Sequence, residues 1–313
     1  MSPVLNESGA SSDGDRTEAA VADLKQMRTT LDRALESFVD EELAYLPPEV
    51  VESVRYAVLS PGKRIRPLLL MAAYGSVGGT QAEIADLGLS VELVHAYSLV
   101  HDDLPCMDDD VLRRGRPTVH VKFGVAVAVL AGAALMPLAV RAIIRGGENL
   151  GLEQRLIDRL VRSLATASGA SGMVGGQLLD LRAEGRRVTR DELERIHSGK
   201  TARLIAAAAM MGGIAADAGP RELEALRRFG LDLGLAFQAV DDILDMRGTA
   251  GEMGKESGRD MALGKATYPG LFGVAEAERI SHAFAEAAIA ELGALDRPEG
   301  LEAIASYVIE RTH

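Results

Sequence analysis

The stretch TEAAVADLKQMRTTLDRALESFVDEELAY, residues 17–45, indicates the fold class most clearly. Its apolar residues return every three or four positions, which is the spacing of one face of an amphipathic α-helix. These residues are Val21, Leu24, Met27, Leu31, Leu35 and Phe38. Pro47 and Pro48 then end the helix, because proline removes a backbone donor and clashes with the preceding turn. Residues 1–16 are small and polar, so we predict a disordered N-terminal tail there.

The same spacing continues along the rest of the chain and predicts eight further helices. They cover residues 49–59, 64–76, 81–104, 117–145, 151–182, 190–215, 220–245 and 270–310. Alanine is abundant, the sequence has no run of alternating strand character, and Gly and Pro fall mostly between the helices. The sequence therefore predicts an all-α helix bundle. No Pro-rich or Gly/Ser-rich linker divides it, so residues 17–313 are predicted to form a single domain.

Composition limits the classes of protein that the chain could represent. Its 313 residues, 47% of them apolar, are enough to bury a large core. The net charge of -12 argues against bulk attraction to nucleic acid or to an anionic membrane. The single cysteine, Cys106, cannot form an internal disulfide, and no secretory signal pattern is visible. We therefore expect a cytoplasmic protein.

The uncharged stretch FGVAVAVLAGAALMPLAV, residues 123–140, is nearly long enough to span a bilayer. Its apolar residues are mostly Ala, Gly and Val, and Pro137 lies inside it, so its transfer energy into lipid is weak. Small residues also suit close packing between helices. We predict a buried central helix here and no membrane span.

Two clusters of aspartate follow apolar helices, and the second is FQAVDDILD, residues 237–245. On a helix, Asp241 and Asp245 are four residues apart and about 40° apart around the axis. Both carboxylates therefore project from one face and can share a ligand.

The first cluster is HDDLPCMDDDVLRRGRP, residues 101–117. Asp102 and Asp108 would point about 240° apart around an unbroken helix. Pro105 disfavours helix at the residue before it, so we expect the helix to end near Leu104. The PCM segment should then bulge and bring Asp108 back beside Asp102.

Carboxylate-only clusters without Cys or His at ligand spacing suit a hard cation such as Mg²⁺, which also bridges to phosphate. Arg113 and Arg114 supply planar forks for phosphate oxygens. Either cluster alone could be a solvated, self-neutralising surface. Two clusters that each end an apolar helix favour a diphosphate site at the mouth of a cavity.

Six motifs together resemble those of the trans-isoprenyl diphosphate synthases. They are SPGKRIRP (60–67), HDDLPCMDDDVLRRGRPT (101–118), GMVGGQLLDL (172–181), GKTARLI (199–205), FQAVDDILD (237–245) and GKESGRDMALGKATYP (254–269). The chain resembles the bacterial farnesyl and plant-type geranylgeranyl branches, in which the first aspartate motif carries two extra residues. The resemblance covers roughly residues 20–310, with the motifs in the order of the family.

The resemblance implies a helix bundle around a deep apolar cavity, a homodimer, and three Mg²⁺ per active site. It implies condensation of isopentenyl diphosphate with an allylic diphosphate such as dimethylallyl or geranyl diphosphate. The implied metal ligands are Asp102, Asp108, Asp241 and Asp245, and the implied catalytic cations on the allylic diphosphate are Arg113, Lys200 and Lys265.

The resemblance also implies two groups of substrate-binding residues. Isopentenyl diphosphate would contact Lys63, Arg66, His95 and Arg114. The allylic side would be lined by Thr201, Gln238 and Lys255, with Gln177 and Asp180 less directly involved. Outside such a pattern, a lone lysine or arginine is more often a surface charge and a lone histidine a core residue.

Product length depends on what the growing prenyl chain meets below the diphosphates. Tyr97 and Ser98 lie one turn before Asp102 on the same predicted helix. In the family an aromatic residue at the position of Tyr97 accompanies short products. The expected main product is therefore farnesyl diphosphate (C15), with geranylgeranyl diphosphate (C20) as the alternative. Val125 and Ala133 stand where the family usually has acidic residues, so two polar groups are missing from a central helix.

Three other classes of protein share part of this pattern. A class I terpene cyclase ionises an allylic diphosphate but needs no second diphosphate site and does not repeat the DDxxD motif. A non-catalytic regulatory synthase subunit would fit the changes at Val125 and Ala133, although such subunits normally lose aspartates. A metal phosphohydrolase would need histidine ligands around the HDD motif. His120, His197 and His282 show no spacing that would complete such a site.

Overall fold

The structure is a computed structural model that describes residues 10–44, 46–247 and 263–310, with side chains from Ala19 onward. Its helices are α1 (Ala10–Glu42), α2 (Pro48–Val58), α3 (Ile65–Ser76), α4 (Ile84–Asp102), α5 (Val119–Phe123), α6 (Val125–Asn149), α7 (Gln154–Ser168), α8 (Met173–Ala183), α9 (Arg190–His197), α10 (Arg203–Ala215), α11 (Pro220–Arg247), α12 (Tyr268–Phe272), α13 (Val274–Glu291) and α14 (Glu299–Glu310). A π-helical turn (Ser198–Ala202) joins α9 to α10, and a 3₁₀ turn (Leu292–Ala294) follows α13.

The predicted all-α architecture is confirmed, with one small exception in the described residues. Strands β1 (Leu112–Arg113) and β2 (Arg116–Pro117) form a two-residue antiparallel hairpin. Gly115 occupies the left-handed region at its turn, with φ of 72°. The sequence showed no strand pattern because two residues are too few to display alternation.

Three predicted helices are divided in the structure, and glycine marks two of the breaks. Gly124 (φ 88°) separates α5 from α6, and Gly273 (φ 79°) separates α12 from α13. Such backbone conformations are available to glycine at little cost. Two further breaks fall at residues 169–172, between α7 and α8, and at residues 295–298, between α13 and α14. Periodicity continued through each break, which is why the sequence did not show them.

The first helix also differs from its predicted bounds. It begins at Ala10, seven residues before Thr17 and inside the predicted tail, and it ends at Glu42. Residues 1–9 of that tail and Tyr45 lie outside the described residues. Leu31, Leu35 and Phe38 are fully buried as the periodicity predicted.

Helix α4 is the centre of the bundle. Apolar residues surround it on all sides, and a helix of that kind is expected to be buried. It packs against α6, α3 and α1, and twelve of its residues are buried. Its last residue is Asp102, so the first aspartate cluster begins where the central helix ends. The larger of two hydrophobic clusters surrounds it, and a smaller cluster lies between the end of α8, α9, α11, α12 and α13.

Helix α6 was predicted to be buried at the centre of the bundle, and that prediction is only half right. One face packs closely against α4, with Ala128, Ala131 and Leu135 fully buried. The opposite face is exposed although it is apolar. By length and composition alone α6 is the one helix in the described ranges that could cross a membrane, and 44% of its apolar window is buried inside the protein.

Candidate active site

The turn after α4 has the geometry that Pro105 predicted. The helix ends at Asp102, two residues earlier than expected, and the amide of Asp108 donates to the carbonyl of Asp102 at 2.9 Å. The amide of Asp109, which has a left-handed φ of 50°, donates to Leu104 at 3.1 Å. The bulge therefore brings the backbone of Asp108 back to that of Asp102.

Asp102 and Asp241 face one cavity of about 1050 Å³, although 139 residues separate them in the sequence. Most of the residues predicted for the site line this cavity. They are Lys63, Arg66, His95, Tyr97, Ser98, Asp102, Arg113, Arg114, Gln177, Lys200, Thr201, Gln238 and Asp241. Lys255 lies outside the described residues. The convergence of the two aspartate motifs on one hollow is therefore a property of the fold.

Asp108, Asp245 and Lys265 are not among the described residues that line the cavity. Lys265 nevertheless contacts the first motif directly, since its Nζ donates to Asp108 Oδ2 at 2.8 Å. Asp245 lies one turn beyond Asp241 on α11 and is partly buried. The structure thus places Asp108 and Lys265 beside the cavity mouth as a pair.

Burial and the neighbouring carboxylate of Asp108 raise the pKa of Asp102 above its usual range. The positive charges of Lys200, Arg113 and Lys265 act in the opposite direction. Burial and repulsion destabilise the ionised form of Asp102. A bound cation stabilises that form, because it offsets both the lost hydration and the repulsion.

Each of the three predicted catalytic cations lies against a carboxylate. Lys200 Nζ donates to Asp180 Oδ2 at 2.6 Å. Burial opposes the charged form of Lys200, but Asp180, Asp102 and Asp108 raise its pKa overall. It therefore keeps its charge beside the cavity, where it can meet an anionic ligand.

Asp103, the second aspartate of the first motif, binds Arg113, the remaining one of the three predicted catalytic cations. Arg113 Nε and Nη2 donate to the carboxylate of Asp103 at 2.8 and 2.5 Å. Asp103 is buried, and its hydrogen bond keeps the pKa of Arg113 raised although burial alone would lower it. Asp103 is therefore an anchor for Arg113, a role that the spacing of the motif did not show.

The second motif contains a corresponding anchor, Asp242. This buried carboxylate accepts from Gln238 Nε2 at 2.8 Å and from the backbone amide of Tyr268 at 3.0 Å. Gln238 in turn accepts from Thr201 Oγ1 at 2.6 Å. Asp242 thus joins α11 to the segment that carries Lys265, so the two aspartates of each DD pair have different tasks.

A π-helical turn presents Lys200 and Thr201 to the cavity. It packs against α8, where Gly176 and Gly199 approach so closely that a Cβ on Gly176 would lie 2.1 Å from the backbone nitrogen of Lys200. Single π-turns within helices are frequent at functional sites. The GMVGGQ and GKTA motifs are therefore two halves of one contact.

The arginine hairpin is held against α2 by Tyr56. The Oη of Tyr56 donates to the carbonyl of Pro117 at 2.7 Å. The cations of Arg116 and Lys122 lie 4.2 and 4.0 Å from the centre of its ring. Cation–π contacts at such distances are attractive. The contacts of Tyr56 with Arg116 and Pro117 hold the short hairpin that carries Arg113 on its first strand and Arg114 in its turn.

A second group of basic side chains, Lys63, Arg66 and Arg114, lines the same cavity together with His95. Within the described residues this group contains no cluster of acidic side chains. Burial, together with Arg66, Arg114, Arg113 and Arg64, lowers the pKa of His95 well below its usual value, so its imidazole is neutral. The buried Nε of Arg66 has no hydrogen-bond partner in the part of the chain that the structure describes. This group can accept an anion without a metal.

Metal binding was tested against the donor atoms. Among the described residues, no three His, Cys, Asp or Glu side chains gather into a metal site of their own. Mg²⁺ is usually bound by one or two carboxylates together with substrate phosphates and waters. Asp102 and Asp241, facing one cavity beside cations, fit that arrangement. The donors therefore suit Mg²⁺ that arrives with a diphosphate.

Other lining residues were not predicted. The cavity also contains Arg64, Glu92, His101, Met107, Met173, Val174, Leu178, Leu181 and Phe237. A glutamate inside the apolar helix α4 was a visible signal, since a buried charge requires a partner. The apolar residues carried no such signal, because their periodicity is that of any core helix.

Comparison with known proteins agrees with this site. The polyprenyl synthetase family model matches residues 47–295. A farnesyl diphosphate synthase of Escherichia coli (strain K12) is 45% identical over 285 residues, which cover 89% of this chain and 94% of that protein. Geranylgeranyl pyrophosphate synthase 11, chloroplastic, of Arabidopsis thaliana is 43% identical over 267 residues, covering 84% of this chain and 74% of that protein.

Solved structures show the same fold. An FPP/GFPP synthase from Zymomonas mobilis superposes with a TM-score of 0.80 at 34% identity, covering 92% of this chain and 99% of that one. A geranyltransferase from Helicobacter pylori, complexed with magnesium and isoprenyl diphosphate, has a TM-score of 0.78 at 32% identity, covering 92% and 96%. The chain therefore belongs to the polyprenyl synthetase family, and by that membership it is a prenyltransferase.

Proposed function

We propose that this chain condenses isopentenyl diphosphate with dimethylallyl or geranyl diphosphate and releases farnesyl diphosphate as its main product. The observation that supports this most directly is the single cavity shared by the two aspartate motifs and the separate arginine cluster. Two diphosphates need two anion sites. The cavity has one site where aspartates can hold a metal ion, at Asp102 and Asp241, and a second site formed by the basic residues Lys63, Arg66 and Arg114. The E. coli and Bacillus subtilis relatives, both 45% identical, are farnesyl diphosphate synthases.

The proposed metal is Mg²⁺, three ions per site, held by Asp102, Asp108, Asp241 and Asp245. When bound, Mg²⁺ would neutralise charge on the allylic diphosphate. The fit of the donor atoms and the magnesium in the Helicobacter pylori relative support this proposal.

The chain's own cations then complete the site. Arg113, Lys200 and Lys265 stabilise negative charge as the allylic C1–O bond breaks and its electron pair leaves with pyrophosphate. The double bond of isopentenyl diphosphate, held by Lys63, Arg66, His95 and Arg114, attacks the allylic carbon. A new C–C bond forms, and the departing pyrophosphate takes the proton that is lost, so no side-chain base is needed.

Thr201 and Gln238 are proposed to lie beside the allylic carbon. They are hydrogen-bonded to each other, and Gln238 is fixed by Asp242. Their polar atoms would face the developing positive charge, where oriented dipoles lower its energy. The resemblance places Lys255 on the allylic side as well, and that placement stays a prediction because Lys255 lies outside the described residues.

Tyr97 supports the proposed product length. It lines the cavity with Ser98, and its ring contacts that of His101 with centroids 4.7 Å apart. A growing chain that leaves the diphosphates along α4 would meet this pair of rings. Geranylgeranyl diphosphate is the second candidate product, favoured by the Arabidopsis relatives that carry that name.

We propose that the assembly is a homodimer built on α6. The exposed face of this helix is an apolar stripe formed by Val125, Val129, Leu130, Val140 and Ile144, of which Leu130 is 57% exposed. Contiguous exposed apolar surface of this kind marks interaction sites. A second copy fits because Val125 and Ala133 remove charges that would otherwise interrupt the stripe. This packing also supports the proposal that α6 does not span a membrane, and the cytoplasm is the proposed location.

The dimer is tested with Leu130→Glu, which places a charge in the stripe. Light scattering after size exclusion should show a dimer for the unmodified chain and a monomer for the variant. Ile289→Glu, on the exposed side of α13, is the matched control and should stay dimeric. A monomeric unmodified chain would contradict the proposal.

The activity is tested by incubating the purified chain with Mg²⁺, isopentenyl diphosphate and each of the C5, C10 and C15 allylic diphosphates, followed by sizing of the products. Farnesyl diphosphate from the C5 and C10 primers, lost in EDTA, is the expected result. Cyclic hydrocarbon without isopentenyl diphosphate would indicate a terpene cyclase. No product from any primer would indicate a regulatory subunit.

A further inference from the structure

Arg64 occupies an unusual backbone position directly before α3. Its φ of 53° lies in the left-handed region, which residues other than glycine rarely adopt. Such a conformation persists only where the surrounding contacts hold it. Arg64 sits between Lys63 and Ile65 in the turn that leads to Arg66, so its conformation sets the directions of both cavity cations.

All three guanidinium nitrogens of Arg64 donate to protein groups. Nη1 forms a buried ion pair with Glu92, and the two side chains are only 7% and 6% exposed. Nη2 donates to the carbonyls of Val58 and Ser60, both at 3.1 Å. Nε donates to Asp32 Oδ1 at 3.2 Å. One side chain therefore ties α1, the end of α2 and α4 to the turn.

Glu92 is a buried carboxylate to which the proposed reaction gives no role. It lies on α4 one turn before His95 and lines the cavity. Its negative charge acts on Arg66 and Arg114, and it raises the pKa of both while burial lowers them. It is also about 15 Å along α4 from Asp102, since ten residues separate them.

We infer that Arg64 and Glu92 are a positioning pair for the metal-free anion site, an inference that rests on the proposed function. The pair cancels its own charge, which leaves Lys63, Arg66 and Arg114 to meet the diphosphate of isopentenyl diphosphate. Because the fork of Arg64 holds the turn rather than the ligand, its loss changes the arrangement of Lys63 and Arg66. Asp102, about 15 Å along α4 from Glu92, is too distant to respond in the same way.

Two conservative variants separate this role from a general contribution to folding. Arg64→Lys keeps the charge but loses the fork, and Glu92→Gln keeps the shape but loses the charge. Arg227→Lys and Glu224→Gln, from an exposed ion pair on α11, are the matched controls. Calorimetric titration with isopentenyl diphosphate in EDTA isolates the metal-free site, and steady-state kinetics with Mg²⁺ gives KM for each substrate.

We expect Arg64→Lys and Glu92→Gln to weaken isopentenyl diphosphate binding by roughly 10- to 100-fold, the range that applies when a metal ligand loses its supporting partner. KM for the allylic diphosphate should change by less than about twofold, and the controls should bind normally. Asp32→Asn weakens the partly exposed contact of Arg64 together with a longer ion pair to Arg28, and it should weaken binding by a smaller factor, which keeps a test available should a buried variant not fold.

Unchanged binding in every folded variant, or an equal rise in both KM values, would overturn the inference. These outcomes are distinct from failure of the proposed function, because there the unmodified chain would itself make no prenyl product.

Discussion

Gly176→Ala tests how closely the geometry of the site depends on the contact between α8 and the π-helical turn. The added Cβ would lie 2.1 Å from the nitrogen of Lys200, 2.5 Å from the carbonyl carbon of Gly199 and 2.7 Å from the Cα of Lys200. All three are backbone atoms, so no side chain can rotate away. The two segments must separate by about 1.3 Å to reach the 3.4 Å of an ordinary contact.

Two opposing effects set the size of the change in stability. Overpacking of a tight contact costs about 1–3 kcal/mol. Replacing glycine by alanine inside a helix returns about 0.5–1 kcal/mol. The free energy of unfolding should therefore fall by about 1–2 kcal/mol, whereas a displacement near 1 Å at a positioned group can cost about 100-fold in rate. Activity should consequently suffer much more than stability.

The assay compares the midpoint of urea unfolding with kcat/KM for the allylic diphosphate. Gly75→Ala is the matched control, because Gly75 lies in helix α3 and its added Cβ would meet nothing within 4 Å. That variant should be slightly more stable and equally active. If Gly176→Ala kept both full activity and full stability, the close contact between the GMVGGQ and GKTA motifs would not be what positions Lys200.

Three further predictions follow from single side chains. Tyr97→Ala should shift products toward C20 and longer, with Tyr97→Phe unchanged, and an unaltered product chromatogram would remove Tyr97 as the stop. Asp180→Asn should raise KM for the allylic diphosphate because Lys200 loses its 2.6 Å partner; an unchanged KM would contradict this. Burial lowers the pKa of His197 to about 4. The unfolded chain protonates this histidine near pH 6.5, whereas the folded chain protonates it only near pH 4. The free energy of unfolding should therefore be greatest above pH 6.5 and fall by up to about 3 kcal/mol as the pH drops toward 4. His197→Leu should flatten that dependence in urea titrations, and an equally steep curve would exclude His197 as its source.

Much of the local structure followed from the sequence. Apolar spacing located the helices, since it reports which face of each is buried. Pro105 predicted the bulge that returns Asp108 to Asp102, because the restrictions that proline imposes are local. Breaks at Gly124 and Gly273 were missed, since the apolar spacing continues across them and glycine within a helical pattern does not by itself require a break.

The sequence by itself determined an all-α chain with two aspartate clusters at the ends of apolar helices. Only the tertiary structure decided that Asp102 and Asp241 share a cavity, that Asp103 and Asp242 serve as anchors, and that one face of α6 stays exposed. The physical reason is the range of the interactions. Helix formation and proline geometry involve neighbours along the chain, whereas the partners of a buried carboxylate come from whichever segments packing brings together, as Arg113 and the amide of Tyr268 show.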